Sequence, residues 1–151
     1  MDCQVRRATP ADVTAISEVI IAALRESNAH DYPPAVIAMV EQSFSASAVE
    51  HLLVRRQVYV ATLDGQVAGT ASLDGDVVRS VFIAPQHQGH GIGRRLMATI
   101  HGAALGAGLL ELKVPSSITA QGFFAALGYA TVRDEFHGAE RTVVMRKVLM
   151  G

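Results

Sequence analysis

The chain reads as a single mixed α/β domain of the α+β kind spanning residues 1–151, and three observations predict it. Half of the residues are hydrophobic and 18% are charged, which suits one globular core and leaves no room for a second. Three β-rich runs follow one another across two Asp-Gly steps, the pattern of an antiparallel meander. Beyond them a glycine-rich turn joins an apolar strand to an apolar-periodic helix, and the rest of the chain runs strand, helix, strand, strand. That order does not describe a doubly wound sheet.

Gln4 to Arg7 reads as a short strand, with Cys3 packed at its start. Thr9-Pro10-Ala11-Asp12 is a helix start, Thr9 in the N-cap place and proline in the first turn. Val13, Ile16, Val19/Ile20 and Ala23/Leu24 then recur at helical spacing, and the helix ends near Ser27-Asn28. Asp31-Tyr32-Pro33-Pro34 breaks the chain. Ala35–Gln42 and Ser47–Arg55 are shorter helices, the second behind a serine-rich cap. Val58–Leu63, Gln66–Leu73 and Val77–Ile83 are strands, with Asp64-Gly65 and Asp74-Gly75 as their hairpin turns. A helix over 91–105, a strand near Leu109–Val114, a helix over 119–127 and strands near Ala130–Phe136 and Thr142–Val148 complete the order.

The turn before the 91–105 helix carries the chemistry. Val81 to Leu96 contains three alternating glycines, Gly89, Gly91 and Gly93, which remove side chains that would hold an anion away from the backbone. The amides that follow open a helix, where unpaired N–H groups and the positive end of the dipole attract negative charge. A pyrophosphate is the expected ligand. The spacing is not a dinucleotide fingerprint, because Arg94 or Leu96 falls where the last glycine should stand, and no Gly-Lys-Ser/Thr of a P-loop occurs.

What remains, Gln88-x-x-Gly91-x-Gly93, resembles the acetyl-CoA signature of the GCN5-related N-acetyltransferase (GNAT) family. A second segment some thirty residues later, Ser117-x-x-Ala120-x-x-Phe123-Phe124-x-x-x-Gly128-Tyr129, resembles that family's Asn/Ser-x-x-Ala-x-x-Phe-Tyr-x-x-x-Gly-Phe. The resemblance covers essentially the whole chain. It implies a mostly antiparallel sheet splayed between its fourth and fifth strands, flanked by helices, with acetyl-CoA wedged in the gap. Pro85 suits that opening, since it cannot donate a ladder hydrogen bond.

The same resemblance implies roles. Val81, Phe82 and Ile83 would pair with the pantetheine arm, and an amide near Phe82 or Ile83 would face the thioester oxygen. Gln88, Gly89, His90, Gly91, Ile92, Gly93 and Arg94 would hold the pyrophosphate, with Ser117 and Phe124 along the arm. The acceptor amine must lose its proton, which costs about 4.6 kcal/mol at pH 7 for an ordinary lysine-like amine. Many relatives use a glutamate on the fourth strand. This strand has none and offers Asp76 at its start, with His137, Glu135 and Tyr32 as rivals for the base. Phe124 stands where the family carries the tyrosine that protonates the departing thiolate. Asn28, Asp31, Tyr32 and Arg79 are the substrate candidates, although Asn28 and Asp31 also suit a helix end and a turn.

A net charge of −1 without a basic run gives no attraction for nucleic acid or anionic lipid, and no stretch suits a membrane span or leader. The lone Cys3 cannot form an internal disulfide, and a cytoplasmic monomer or homodimer is expected. His87-x-x-His90 lies in the phosphate loop with no carboxylate or cysteine beside it, so no metal is expected. The reading is therefore direct acetyl transfer from acetyl-CoA to a small-molecule amine. Its rivals are a non-catalytic acyl-CoA-binding module, kept open by Phe124 and the missing glutamate, and an enzyme acting on protein or peptide amines.

Overall fold

A computed structural model describes residues 2–149. Strand β1 (Cys3–Arg7) leads through a 3-10 turn at Pro10–Asp12 into α1 (Val13–Glu26). Helices α2 (Pro34–Glu41) and α3 (Ala46–Arg55) follow, α3 capped by Ser45, whose Oγ accepts the Ala48 N–H at 3.2 Å. The meander is β2 (Gln57–Leu63), β3 (Gln66–Asp74) and β4 (Val77–Ile83), and the chain closes with α4 (Ile92–Gly106), β5 (Glu111–Ser117), α5 (Gln121–Ala126), β6 (Ala130–His137) and β7 (Glu140–Val148).

The seven strands form one sheet in the order β1-β2-β3-β4-β5-β7-β6, antiparallel throughout except where β4 meets β5. Strand β2 alternates across it. Val58 and Val60 face a cluster with Ile16, Ile20, Val36, Ile37 and Val49 from α1–α3, whereas Tyr59, Ala61 and Leu63 face Leu96, Met97 and Ile100 of α4. Both faces are covered, so β2 reads as a continuous apolar run. Helix α5 joins the second cluster through Phe124, beside Leu112, Val114, Val143 and Met145.

The feature that positions everything else is the β4–β5 junction. These strands share a single register pair, Val77 with Lys113, closed by a hydrogen bond from the Lys113 N–H to the Asp76 carbonyl at 3.0 Å. Beyond that rung the strands diverge as the two arms of a V. Pro85 is not what keeps them apart, because it lies past β4 in the 3-10 turn Pro85–His87. Pro115 is better placed. Backbone groups alternate sides along a strand, so two residues after Lys113 the β5 backbone again faces β4, and there proline has no N–H to offer.

Some boundaries differ from the sequence reading, and for three of them the reason is local. The second hairpin turns on Gly75-Asp76, because Asp74 still pairs with Val77. Strand β5 starts later, since the Leu109 N–H closes the end of α4 on the Ala104 carbonyl at 3.0 Å. It also runs on to Ser117, because β7 supplies a partner for every residue from Glu111 to Ser117.

Candidate active site

The V opens into a cavity of about 740 Å³. Five consecutive residues of β4, Arg79 to Ile83, line it, as do Val114 to Ser117 of β5. Consecutive residues of one strand can line one cavity only if the strand presents its edge, so the walls are open backbone. The Ala84 N–H bonds the Ala68 carbonyl at 2.8 Å, and the Ile83 carbonyl accepts from Gln88 Nε2 at 3.2 Å. Alternation therefore turns the Phe82 amide into the β3 ladder and points those of Val81 and Ile83 at the cleft. Of the two amides weighed for the thioester oxygen, Ile83 is the one on the open edge. The Phe82 ring packs edge-on against Phe44 at 5.7 Å.

Upstream of these amides β4 holds a bulge: Ser80 and Val81 together oppose Ala71, and Ser80 sits at φ 55°. The extra residue lets the strand bend away from β5.

At the mouth, Gly91 caps α4 at φ 80°, a conformation that favours glycine, with nothing within 4 Å of where a Cβ would stand. No side chain caps the helix, so the amides of Ile92, Gly93 and Arg94 are free at its first turn. Gly93 is glycine for another reason. A Cβ there would lie 2.9 Å from Phe123 Cε1, so its absence lets α5 press against α4. Gln88 pins the loop, donating to Ser27 Oγ at 3.0 Å as well as to Ile83. Gln88, Gly89, Gly91, Ile92, Gly93 and Arg94 all line the cavity. His90 is exposed and does not, whereas His87 does.

Ser117 lines the cavity and its Oγ accepts the Ala120 N–H at 3.1 Å, so it also holds the turn into α5. Phe124 borders the cavity with only 2% of its surface exposed, stacked edge-to-face on Phe123 and Tyr129.

Asp76 is not brought to the cavity. It sits at the closed vertex of the V, its carboxylate 3.6 Å from Lys113 Nζ, where it holds the one β4–β5 rung. Asp31 is likewise outside, accepting a hydrogen bond from Thr119 Oγ1 at 2.7 Å, and Glu135 is paired with Arg133 at 2.8 Å. Tyr32 lines the cavity as a clamp. Its hydroxyl accepts the Ile118 N–H at 2.9 Å and donates to the Arg141 carbonyl at 2.5 Å, tying the segment after α1 to the β5–α5 turn and to β7. Burial raises its pKa, which suits a donor and not a base.

The structure brings Asn28, Tyr32, Arg79 and His137 to the cavity and adds residues that sequence reasoning did not single out. Glu140 lines the cavity, as does His137, its backbone register partner across the β6–β7 turn. Arg56, from the α3–β2 junction, reaches Ser80 Oγ with its Nη1 at 3.1 Å. Neither had a local signal, because each reaches the site only through the packing of distant elements.

An open strand edge running into a helix start with free amides is the arrangement expected of a coenzyme A-dependent acyltransferase. The chain belongs to the GNAT family: the model of the acetyltransferase (GNAT) domain matches residues 28–149. The protein is accordingly an acetyltransferase, with acetyl-CoA as its co-substrate. An uncharacterized N-acetyltransferase of Escherichia coli (strain K12), YafP, is 26% identical over 132 residues, spanning 87% of this chain and 84% of its own length. The fold matches that of a GCN5-related N-acetyltransferase (aminotransferase, class II) from Rhodopseudomonas palustris, with a TM-score of 0.92 at 24% identity over 98% of this chain and 96% of that one. It also matches PaiA N-acetyltransferase from Thermoplasma acidophilum, solved in complex with coenzyme A, with a TM-score of 0.84 at 17% identity over 98% and 99% of the two chains.

Proposed function

We propose that this protein moves the acetyl group of acetyl-CoA directly to the primary amine of a small molecule. The observation that carries the reading is the open β4 edge, with the amides of Val81 and Ile83 toward a cleft that ends at the free first turn of α4. The pantetheine arm adds to that edge as a further strand, and its pyrophosphate meets Gly89 to Arg94. The Ile83 N–H then faces the thioester oxygen as the carbonyl becomes tetrahedral, a contact typically worth about 2.7 to 4 kcal/mol in a site closed to water.

The amine loses a proton, its nitrogen bonds the acetyl carbon, and the C–S bond breaks to release the thiol. The proton goes to the His137–Glu140 end of the β6–β7 hairpin, which lines the cavity with an imidazole and a carboxylate. Phe124 has no proton to give, so the sulfur leaves as a thiolate and is protonated from water.

The test is thiol release from acetyl-CoA across a panel of amines, amino acids and peptides. Replacing the base, as His137→Ala or Glu140→Gln, is expected to lower kcat by about 10² to 10⁴ with acetyl-CoA affinity unchanged. Asp76→Asn is expected to leave the rate nearly alone. Rates untouched in both hairpin variants would move the base elsewhere, and tight acetyl-CoA binding without turnover of any amine would favour a non-catalytic module.

A further inference from the structure

The cavity carries positive charge that the transfer steps above do not use. Arg56 is half-buried and spends one nitrogen on Ser80 Oγ. Among the described residues no carboxylate lies within 4.0 Å of it. Its neighbour Arg79 is engaged with Asp74, Nε to Oδ2 at 3.5 Å. Burial first, then the like charge of Arg79, lowers the Arg56 pKa against the opposing pull of Asp74. A guanidinium does not give up its proton inside a protein, so its charge stays in place with Asp74 felt across space and no carboxylate in contact.

Asn28, only 7% exposed, lines the same cavity on the side of the α4 loop, where its neighbour Ser27 holds Gln88. Val36, Ile37 and Phe44 give the cavity an apolar stretch of wall.

We infer that the acceptor is a free amino acid with an apolar side chain, its carboxylate held by Arg56 and its side chain laid on Val36, Ile37 and Phe44. One guanidinium edge suits a singly charged, planar carboxylate. This assignment rests on the acetyltransferase reading for the fate of the amine, while the anion site rests on its own geometry.

The experiment separates the two. L-phenylalanine and L-leucine, and phenethylamine and 3-methylbutylamine as their counterparts without the carboxylate, are titrated calorimetrically into protein saturated with CoA. The amino acids are expected to bind about 10- to 100-fold tighter than the matched amines, the range for a charge-assisted hydrogen bond. Arg56→Met is expected to erase that ratio and Arg56→Lys to keep part of it, with CoA affinity equal in all three proteins as the check on folding. In turnover with acetyl-CoA the Arg56→Met loss falls on KM more than on kcat. Equal binding of acids and amines, a ratio that survives in Arg56→Met, or no binding of either amino acid overturns the site. Arg56-dependent binding of amino acids that are never acetylated upholds the anion site and counts against the transferase reading.

Discussion

Asp12 shows how much one carboxylate can organise at the start of this chain. Arg6 donates to both of its oxygens, at 2.8 and 3.0 Å, and the Thr9 N–H adds a third bond at 2.8 Å. The Arg6 hydrogen bonds, with help from Thr9, hold the Asp12 carboxyl down at about 2. Unscreened, that displacement is worth about 2.4 kcal/mol. Arg6 is 44% exposed, and water around it reduces the figure to about 1–2 kcal/mol. Asp12→Asn is therefore expected to lose about that much stability at neutral pH. The folded-state pKa is depressed, so the contribution is complete above the unfolded value near 4 and lost as pH falls through about 2. Urea unfolding of both proteins between pH 7 and pH 2 checks it, with the two curves converging at the acid end.

The packing of α4 gives a contrast between two glycines of one helix. Gly93→Ala places a methyl 2.9 Å from the Phe123 ring, and moving that ring is expected to cost about 1–3 kcal/mol. Gly102→Ala meets nothing within 4 Å and is expected to stabilise by about 0.5–1 kcal/mol through helix propensity alone. Thermal unfolding of the two variants reads the opposite signs. The element order was legible because each turn and cap is written in local residues: Asp64-Gly65 between two β-rich runs, Ser45 ahead of α3, the glycines ahead of α4. The reason for Gly93 was not, since the sequence shows a glycine and only the approach of α5 shows why. The bulge at Ser80 left no local mark either, because an extra residue in one strand is visible only against its partner. The glycine-rich turn ahead of α4 could thus be read from its own residues. The far side of the cavity was legible only in part: Asn28, Tyr32 and Arg79 stood among the candidates, whereas Arg56 and Glu140 come from separate stretches of chain joined only by the fold.

At the scale of the molecule, one rung joins the strands β1–β4 to the strands β5–β7, reinforced by the Asp76–Lys113 pair and the Tyr32 clamp. A ligand lying between the arms of the V touches both halves and favours the state in which they are correctly docked. Amide hydrogen exchange is expected to show β5–β7 opening at lower free energy than β2–β3 in the free protein. Saturating acetyl-CoA is expected to bring the two closer together. Equal slowing across the whole chain would instead describe one cooperative unit.

Pro115 carries a consequence of a different kind. An open strand edge that welcomes an extended ligand offers the same ladder to any extended peptide, including a stray segment of another copy of the chain. Two such edges face each other across this cleft. Placing the residue that cannot donate on one of them takes a rung from β5 and leaves β4 the fuller edge, so an intruding strand finds a broken ladder on the β5 side. Pro115→Ala is expected to restore that rung, and light scattering of both proteins without acetyl-CoA checks whether the variant self-associates more readily.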